Sequence, residues 1–250
     1  MFQDEELFLF QEWIRPVTLE ELRDRDILEG GCGGGQHTRM MADVARRVTA
    51  VDLNTTDLAR WRNQDLDNVV FVEEDLATMR LHRQFEVVVC IGVIHHTDDP
   101  DRTFENLYAH LQPGGRMIIW TYSAEGNGLV RFVVEPLRKL FFRFLPRSWL
   151  RGVAASITAL LYLPVHTVYR LPFLRKLPYY EYFANFRKLG FTRNTLNVFD
   201  KFNAPQTRFT TRATCDRWFN ADRFEADSIS VRTYCGVSYS LVGVKRRERI

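Results

Sequence analysis

The sequence predicts an open, doubly wound α/β fold, and three observations carry the prediction. Short apolar runs recur between residues 27 and 122, helix-patterned segments alternate with them, and a glycine cluster stands where the first run meets the first helix. Runs that are apolar almost throughout suit parallel strands covered on both faces. Their alternation with helices is the pattern of βαβ units.

Each element has its own signal. Ile27-Leu28-Glu29 is a short strand ending at the glycines, and His37 to Arg47 places Met40, Met41, Val44 and Ala45 on one helical stripe. Val48 to Leu53 is the second strand, followed by a helix over Thr55 to Asn63 with Asn54 or Thr55 as cap. Val69 to Val72 and Phe85 to Ile91 are the third and fourth strands. The next helix starts at Asp98 or Asp99 with Pro100 in its first turn, and Phe104, Leu107, Tyr108 and Leu111 share one face. Pro113-Gly114-Gly115 is expected to stop it before a fifth strand, Arg116 to Thr121. The rhythm then breaks. Residues 123 to about 185 read as helical segments separated by Pro136, Pro146, Pro164, Pro172 and Pro178. Thr211 to Phe219 reads as a helix capped by Thr210, and Ile229 to Tyr234 and Ser238 to Val244 as a terminal strand pair joined through Gly236. The expected organisation is a core over 1–122, a helical cap insertion for substrate recognition over 123–210, and a return to the core sheet over 211–250.

The 250 residues are 46% apolar with a formal net charge of +3. That is enough chain to bury a core without disulfides, and the charge makes no case for nucleic acid. Cys32, Cys90, Cys215 and Cys235 are widely spread and no Cys/His spacing suits a metal, so reduced thiols in a reducing compartment are expected. The acidic start, Met1-Phe2-Gln3-Asp4-Glu5-Glu6, lacks the basic region of a signal peptide. A cytoplasmic location is expected.

In open sheets of this kind ligands sit beyond the carboxyl ends of the strands. The first such loop is Glu29-Gly30-Gly31-Cys32-Gly33-Gly34-Gly35. Positive φ and close approach of a ligand to the backbone are demands that glycine meets together. A dinucleotide fingerprint needs G-x-G-x-x-G, but Gln36 stands at its third position, and the tighter Gly31-x-Gly33-x-Gly35 suits a ligand without phosphates. Asp52 ends the second strand, where a carboxylate can accept both hydroxyls of a ribose. After the third strand, Glu73-Glu74-Asp75-Leu76 offers Asp75 to an adenine amino group.

Taken together and in order, these residues resemble class I S-adenosylmethionine (SAM)-dependent methyltransferases. Ile27 to Gly35 looks like their motif I, Val51-Asp52-Leu53 like motif II and Glu74-Asp75-Leu76 like motif III. Val88 to Pro100 (VVCIGVIHHTDDP) with Leu111 to Arg116 (LQPGGR) is similar to the type 11/12-like branch that includes ubiquinone-type and small-molecule methyltransferases. The resemblance spans residues 27 to about 122. It implies a Rossmann-like sheet, seven-stranded and mostly parallel with an antiparallel last strand, and SAM as cofactor. Glu29 and the loop at Gly31, Cys32, Gly33 and Gly35 would hold the methionine part, Asp52 with Leu53 the ribose, and Asp75 and Leu76 the adenine. Ile91 and Gly92 would line the site near the sulfonium. Gly30 and Gly34 depart from the family, which has a branched apolar residue and Thr or Ser there.

Methyl transfer from a sulfonium requires alignment of the acceptor and, for a hydroxyl or amine, removal of a proton. His95 and His96 directly follow the fourth strand. His96 is the first choice as base, with Asp98 or Asp99 to orient it, and one histidine of the pair is expected to be structural. No metal site is expected.

Leu129 to Pro178 contains nine Lys or Arg and a single acid, Glu135, interleaved with aromatic residues. Between Arg151 and Arg170 lie 18 residues without formal charge. That is the lower limit for a spanning helix, and Ser156, Pro164, His166 and two Thr argue against spanning. The segment fits a lid helix, an anionic acceptor such as a phosphate-linked sugar or lipid, or a helix lying on a membrane surface. Val198 to Pro205, with Arg208-Phe209-Thr210, resembles a segment of methyltransferases found among glycan- and nucleotide-sugar-modifying enzymes. Tyr179, Tyr180, Asp200 and Arg208 are substrate-site candidates.

The expected activity is methyl transfer to a hydroxyl, N or C of a small-molecule, sugar- or lipid-linked acceptor in biosynthesis, by a protein that is cytoplasmic or peripheral at the inner face of the membrane. Two alternatives stay open: a nicotinamide-dependent oxidoreductase, and a non-catalytic membrane-surface module on the same fold. The sequence names neither the acceptor nor the oligomeric state.

Overall fold

A computed structural model describes residues 4–203 and 206–247. Met1, Phe2 and Gln3, on which part of the signal-peptide reading rests, lie outside the described residues, as do Ala204 and Pro205 of the Val198–Pro205 segment. In chain order the elements are α1 (Asp4–Ile14), β1 (Asp26–Gly30), α2 (Gln36–Ala42), β2 (Arg47–Asp52), α3 (Thr56–Arg62), β3 (Val69–Glu73), β4 (Phe85–Ile91), α4 (Pro100–Ala109) and β5 (Leu111–Tyr122). Then come α5 (Glu135–Leu140), α6 (Arg147–His166), α7 (Tyr180–Phe186), α8 (Phe191–Asn203), α9 (Arg212–Trp218), β6 (Ser230–Tyr234) and β7 (Ser238–Val244).

The seven strands form one sheet in the order β3-β2-β1-β4-β5-β7-β6. β1 to β5 pair in parallel and the last strands run antiparallel, as expected of a Rossmann-like sheet. The order reverses between β1 and β4, and the crevice at such a switch point is where open α/β sheets bind ligands. Period-2 alternation splits the core in two. Ile27, Val48, Val87, Val89 and Ile118 face α1 and α2, packing on Phe10, Ile14 and Met41. Leu28, Val51, Val88, Cys90 and Ile119 face the other way, onto Phe104, Leu107 and Trp218. Both faces are buried, which is why the strands read as nearly continuous apolar runs.

Several boundaries differ from the sequence reading, each for a tertiary reason. The first predicted helix stops at Ala42 instead of Arg47, because Arg47 pairs with Asp26 in the sheet. Pro113-Gly114-Gly115 does not separate helix from strand. It is an excursion within β5: Phe85 pairs with Leu111, but Val87 already pairs with Arg116. Lys245 closes the excursion, its C=O accepting from Gly114 N–H (2.9 Å) and its N–H donating to Gly115 O (2.8 Å). Thr211, not Thr210, caps α9, its side chain accepting from Thr214 N–H. Asp99 caps α4 through Arg102 N–H, with Pro100 following as predicted. α1 has no counterpart in the sequence reading.

The chain divides into two compact units, 1–122 with 208–232 and 239–250, and 123–207 with 233–238. The second unit is helical and has its own core, in which Leu150, Ala154 and Val165 of α6 meet Phe186, Val198, Phe199 and Phe202. Pro164 does not break α6. It lies in the last turn, where a missing N–H costs one bond. Its helices continue past residue 185 to Asn203, beyond the point where the β/α rhythm was expected to resume.

Phe104 is fully buried and stacks on Trp218 with centroids 5.2 Å apart and planes 3° from parallel. Phe104→Ala is expected to destabilise the core unit by about 3–5 kcal/mol, measured by denaturant unfolding.

Candidate functional site

The site is built where β1 and β2 end. Gly31 N–H and Cys32 N–H both donate to Val51 O, at 2.7 and 3.1 Å, and Gly33 N–H donates to Asp52 Oδ2 at 3.0 Å. Gly31, Gly33 and Gly35 have φ of +83°, +52° and +80°, in the left-handed region that costs an ordinary residue about 1 kcal/mol or more. The three glycines differ in what lies behind them. A Cβ on Gly31 would sit 2.3 Å from Val93 Cγ2, and one on Gly35 2.2 Å from Asn63 Nδ2, whereas one on Gly33 would meet nothing within 4 Å. Gly31 and Gly35 are packed from behind, while Gly33 faces open space. Two carboxylates, Glu29 and Asp52, lie where β1 and β2 end.

Those carboxylates live in different surroundings. Glu29 is buried and accepts from Thr38 Oγ1 at 2.5 Å. Burial, opposed by the Thr38 bond and aided by the Asp52 charge, pushes its carboxyl up to about 7. Asp52 receives three backbone N–H groups: Gly33 at Oδ2, and Asn54 (3.1 Å) and Thr55 (3.2 Å) at Oδ1. It thereby caps α3, whose own N-cap residue, Thr55, makes no side-chain cap bond and instead donates to Gly33 O at 2.7 Å. A carboxylate offers about four acceptor positions, so Asp52 keeps roughly one, on Oδ2, for a ligand hydroxyl.

The other predicted residues fall at the same end of the sheet with unequal roles open to them. Leu53 is 54% exposed next to Asp52. Asp75 is exposed and turns its Oδ1 onto Ala77 N–H at 2.8 Å. Leu76 is buried, with its methyls 3.5 Å from where a Cβ on Gly30 would lie, so its side chain belongs to the core. Ile91 is buried at the end of β4, and Gly92 (φ +78°) donates its N–H to Trp120 O at 3.0 Å. The thiols of Cys32 and Cys90 are buried and pushed up by burial, which leaves them unreactive.

His95 is fully buried. Its Nδ1 lies 3.2 Å from Thr121 Oγ1 and accepts from Tyr122 N–H at 3.4 Å, while its C=O accepts from Arg208 N–H at 2.7 Å. His96 is half-buried, its ring 4.2 Å from that of His95 and edge-on to Tyr122 at 6.3 Å. Asp99 is committed to the α4 cap. Arg208 is exposed and adjoins His95 only through its backbone. Tyr179, Tyr180 and Asp200 belong to the helical unit, where Tyr180 Oη donates to Leu171 O at 3.3 Å.

Sequence reasoning missed an aromatic wall. Trp13 packs on Trp120 (4.8 Å), Trp120 on Tyr122 (5.4 Å), and Tyr122 on His95 (4.2 Å), with His37 stacked on Phe10. The indole N–H groups of Trp13 and Trp120 are buried without a protein acceptor. Trp120 and Tyr122 were discoverable, since they close a strand at its carboxyl end. Phe10, Trp13 and Ile14 give a helical i, i+3, i+4 stripe that marks α1.

The sheet order and the β1–α2 loop define the class, a Rossmann-like fold similar to that of solved methyltransferases. Residues 28–119 match the family model described as a methyltransferase domain. A ubiquinone biosynthesis O-methyltransferase from Bordetella avium (strain 197N) is 30% identical over 143 residues, covering 55% of this chain and 58% of that protein. An uncharacterized protein of a Synechococcus strain is 32% identical over 122 residues, covering 46% of this chain and 29% of the other. The chain thus spans less than two thirds of the length of these relatives. In structure it is similar to magnesium protoporphyrin IX methyltransferase from Synechocystis PCC 6803, solved with bound SAH, at a TM-score of 0.50 and 14% identity over 90% of this chain and 75% of that one.

Gly31→Ala is expected to lower the melting temperature by many degrees, because the new methyl drives into Val93. Gly33→Ala should cost about 1 kcal/mol, the strain of positive φ alone. Thermal unfolding of the two variants without ligand checks the contrast.

Proposed function

We propose that the core unit binds SAM at the Gly31–Gly35 loop and transfers its methyl group to a hydroxyl oxygen of a small-molecule acceptor. The observation that carries this reading is the open space in front of Gly33, whose N–H is bonded to the half-buried Asp52 carboxylate. The donors and acceptors present fit the cofactor. Glu29 suits its cationic amino group, the remaining Oδ2 position of Asp52 suits a ribose hydroxyl, and the exposed Asp75 carboxylate suits an adenine amine. When bound, SAM supplies a methyl group on a sulfonium, so the acceptor oxygen forms the new C–O bond as the C–S bond breaks and sulfur keeps the pair.

The protein's share is positioning and proton removal. His96 takes the acceptor proton, and His95 holds the neighbouring ring in place through Thr121 and the Tyr122 backbone. With Nδ1 accepting from Tyr122 N–H, the neutral His95 ring carries its proton on Nε2. The relatives named for ubiquinone biosynthesis favour an oxygen acceptor. A lipid- or glycan-linked acceptor suits the basic and aromatic segment 129–178.

Calorimetry with SAM and with NAD, followed by transfer of a labelled methyl group to an acceptor extract, tests the reading. SAM is expected to bind and NAD not. Binding of NAD alone would sink it. Asp52→Asn should weaken SAM binding at least tenfold, the scale of a lost charge-assisted hydrogen bond at about 1.5–3 kcal/mol.

Glu29 gives the binding a pH signature. In the free protein its carboxyl is raised to about 7, so it is protonated below that value, and a cationic ligand group favours the ionised form. Binding near pH 6 should therefore release a proton, and affinity should rise with pH until about 7 and then level off. Glu29→Gln should flatten the profile. Binding heats in two buffers of different ionisation enthalpy measure the proton count.

A further inference from the structure

We infer that the helical unit docks onto an anionic membrane surface through the exposed face of α6 and the segments that flank it. Among the described residues, nineteen large apolar side chains are exposed, and thirteen of them fall between Leu129 and Phe173. A soluble surface rarely gathers so many in one stretch unless something covers them. On α6 the division is sharp. Leu150, Ala154, Thr158 and Val165 form the buried stripe, while Trp149, Leu160 and Leu163, at 70%, 77% and 73% exposure, lie on the opposite side of the helix.

Charge identifies the occupant. Residues 129–178 carry nine Lys or Arg against a single acid. That acid, Glu135, is buried and paired with Arg138 at 2.5 Å, so it presents no negative charge outward. Lys139, Arg147, Arg151, Arg170, Arg175 and Lys176 are exposed in the same stretch. Exposed aromatic and aliphatic groups beside cations are what an interfacial helix presents to lipid headgroups and the acyl boundary. A second copy of this chain is the poorer occupant, since an isologous pairing would set the same cations against each other. Spanning also fits less well. α6 has 20 residues and is long and apolar enough to cross, but one of its sides is already filled by α8 and α7 in the unit's own core.

The test is flotation of the full chain with vesicles of phosphatidylcholine alone, or with about a third phosphatidylglycerol, at low and raised salt. Flotation only with the anionic vesicles, weakened by salt, is expected. Trp149→Glu with Phe173→Glu should lower the partition at least tenfold. Reversing Arg170, Arg175 and Lys176 should lower it about fivefold for each cation removed. All these side chains are exposed, and unchanged melting curves will show that the variants fold. No flotation, equal flotation on neutral vesicles, or full flotation of the variants overturns the inference. So does resistance to alkaline carbonate extraction, which marks a spanning helix, or a wild-type dimer that Trp149→Glu dissociates. Flotation needs no cofactor, so its failure is separate from failure of the methyl-transfer reading.

Discussion

The bonds that tie the first loop to the second strand are the constraint on which the core depends. Val51 O takes two N–H groups from Gly31 and Cys32, and Asp52 takes one from Gly33. The chain can offer three donors in so short a span only by turning through positive φ, which the glycines allow without a Cβ penalty. The same carboxylate caps α3 through Asn54 and Thr55. One side chain thus holds two strand ends and a helix start in a fixed relation, and the ligand-facing side of the loop comes already shaped. Pre-organisation of this kind removes part of the ordering cost of binding.

Environment then separates two carboxyl groups that composition alone cannot tell apart. Asp52 accepts three backbone N–H groups, from Gly33, Asn54 and Thr55. Glu29 has Thr38 and little water, and its charged form is disfavoured. Cys32, in the loop between β1 and α2, is held as a thiol chiefly by burial.

The histidine pair shows the same sorting by packing. His95 is buried, bonded through Nδ1 and its carbonyl, and packed against the tilted ring of Tyr122. His96, one residue on, keeps part of its surface. Both sit in a short 3-10 turn over Ile94–His96, where consecutive side chains diverge, so the two neighbours meet different surroundings.

What the sequence determined by itself is what local chemistry can carry. Glycine at positions of positive φ, the Asp99-Pro100 helix start, and apolar runs at strand spacing depend on a residue and its near neighbours, and each is where the sequence placed it. What the tertiary structure decided depends on partners far along the chain. Lys245 makes Pro113-Gly114-Gly115 part of a strand, and the hydroxyls of Thr121 and Thr210 pair across the fold beside His95. Val93 separates Gly31 from Gly33, two glycines identical in sequence terms. Three N–H groups fill most of Asp52 before any ligand arrives. Local propensity says which conformations are allowed, but only packing and hydrogen-bond saturation among distant residues say which allowed group is left facing open space.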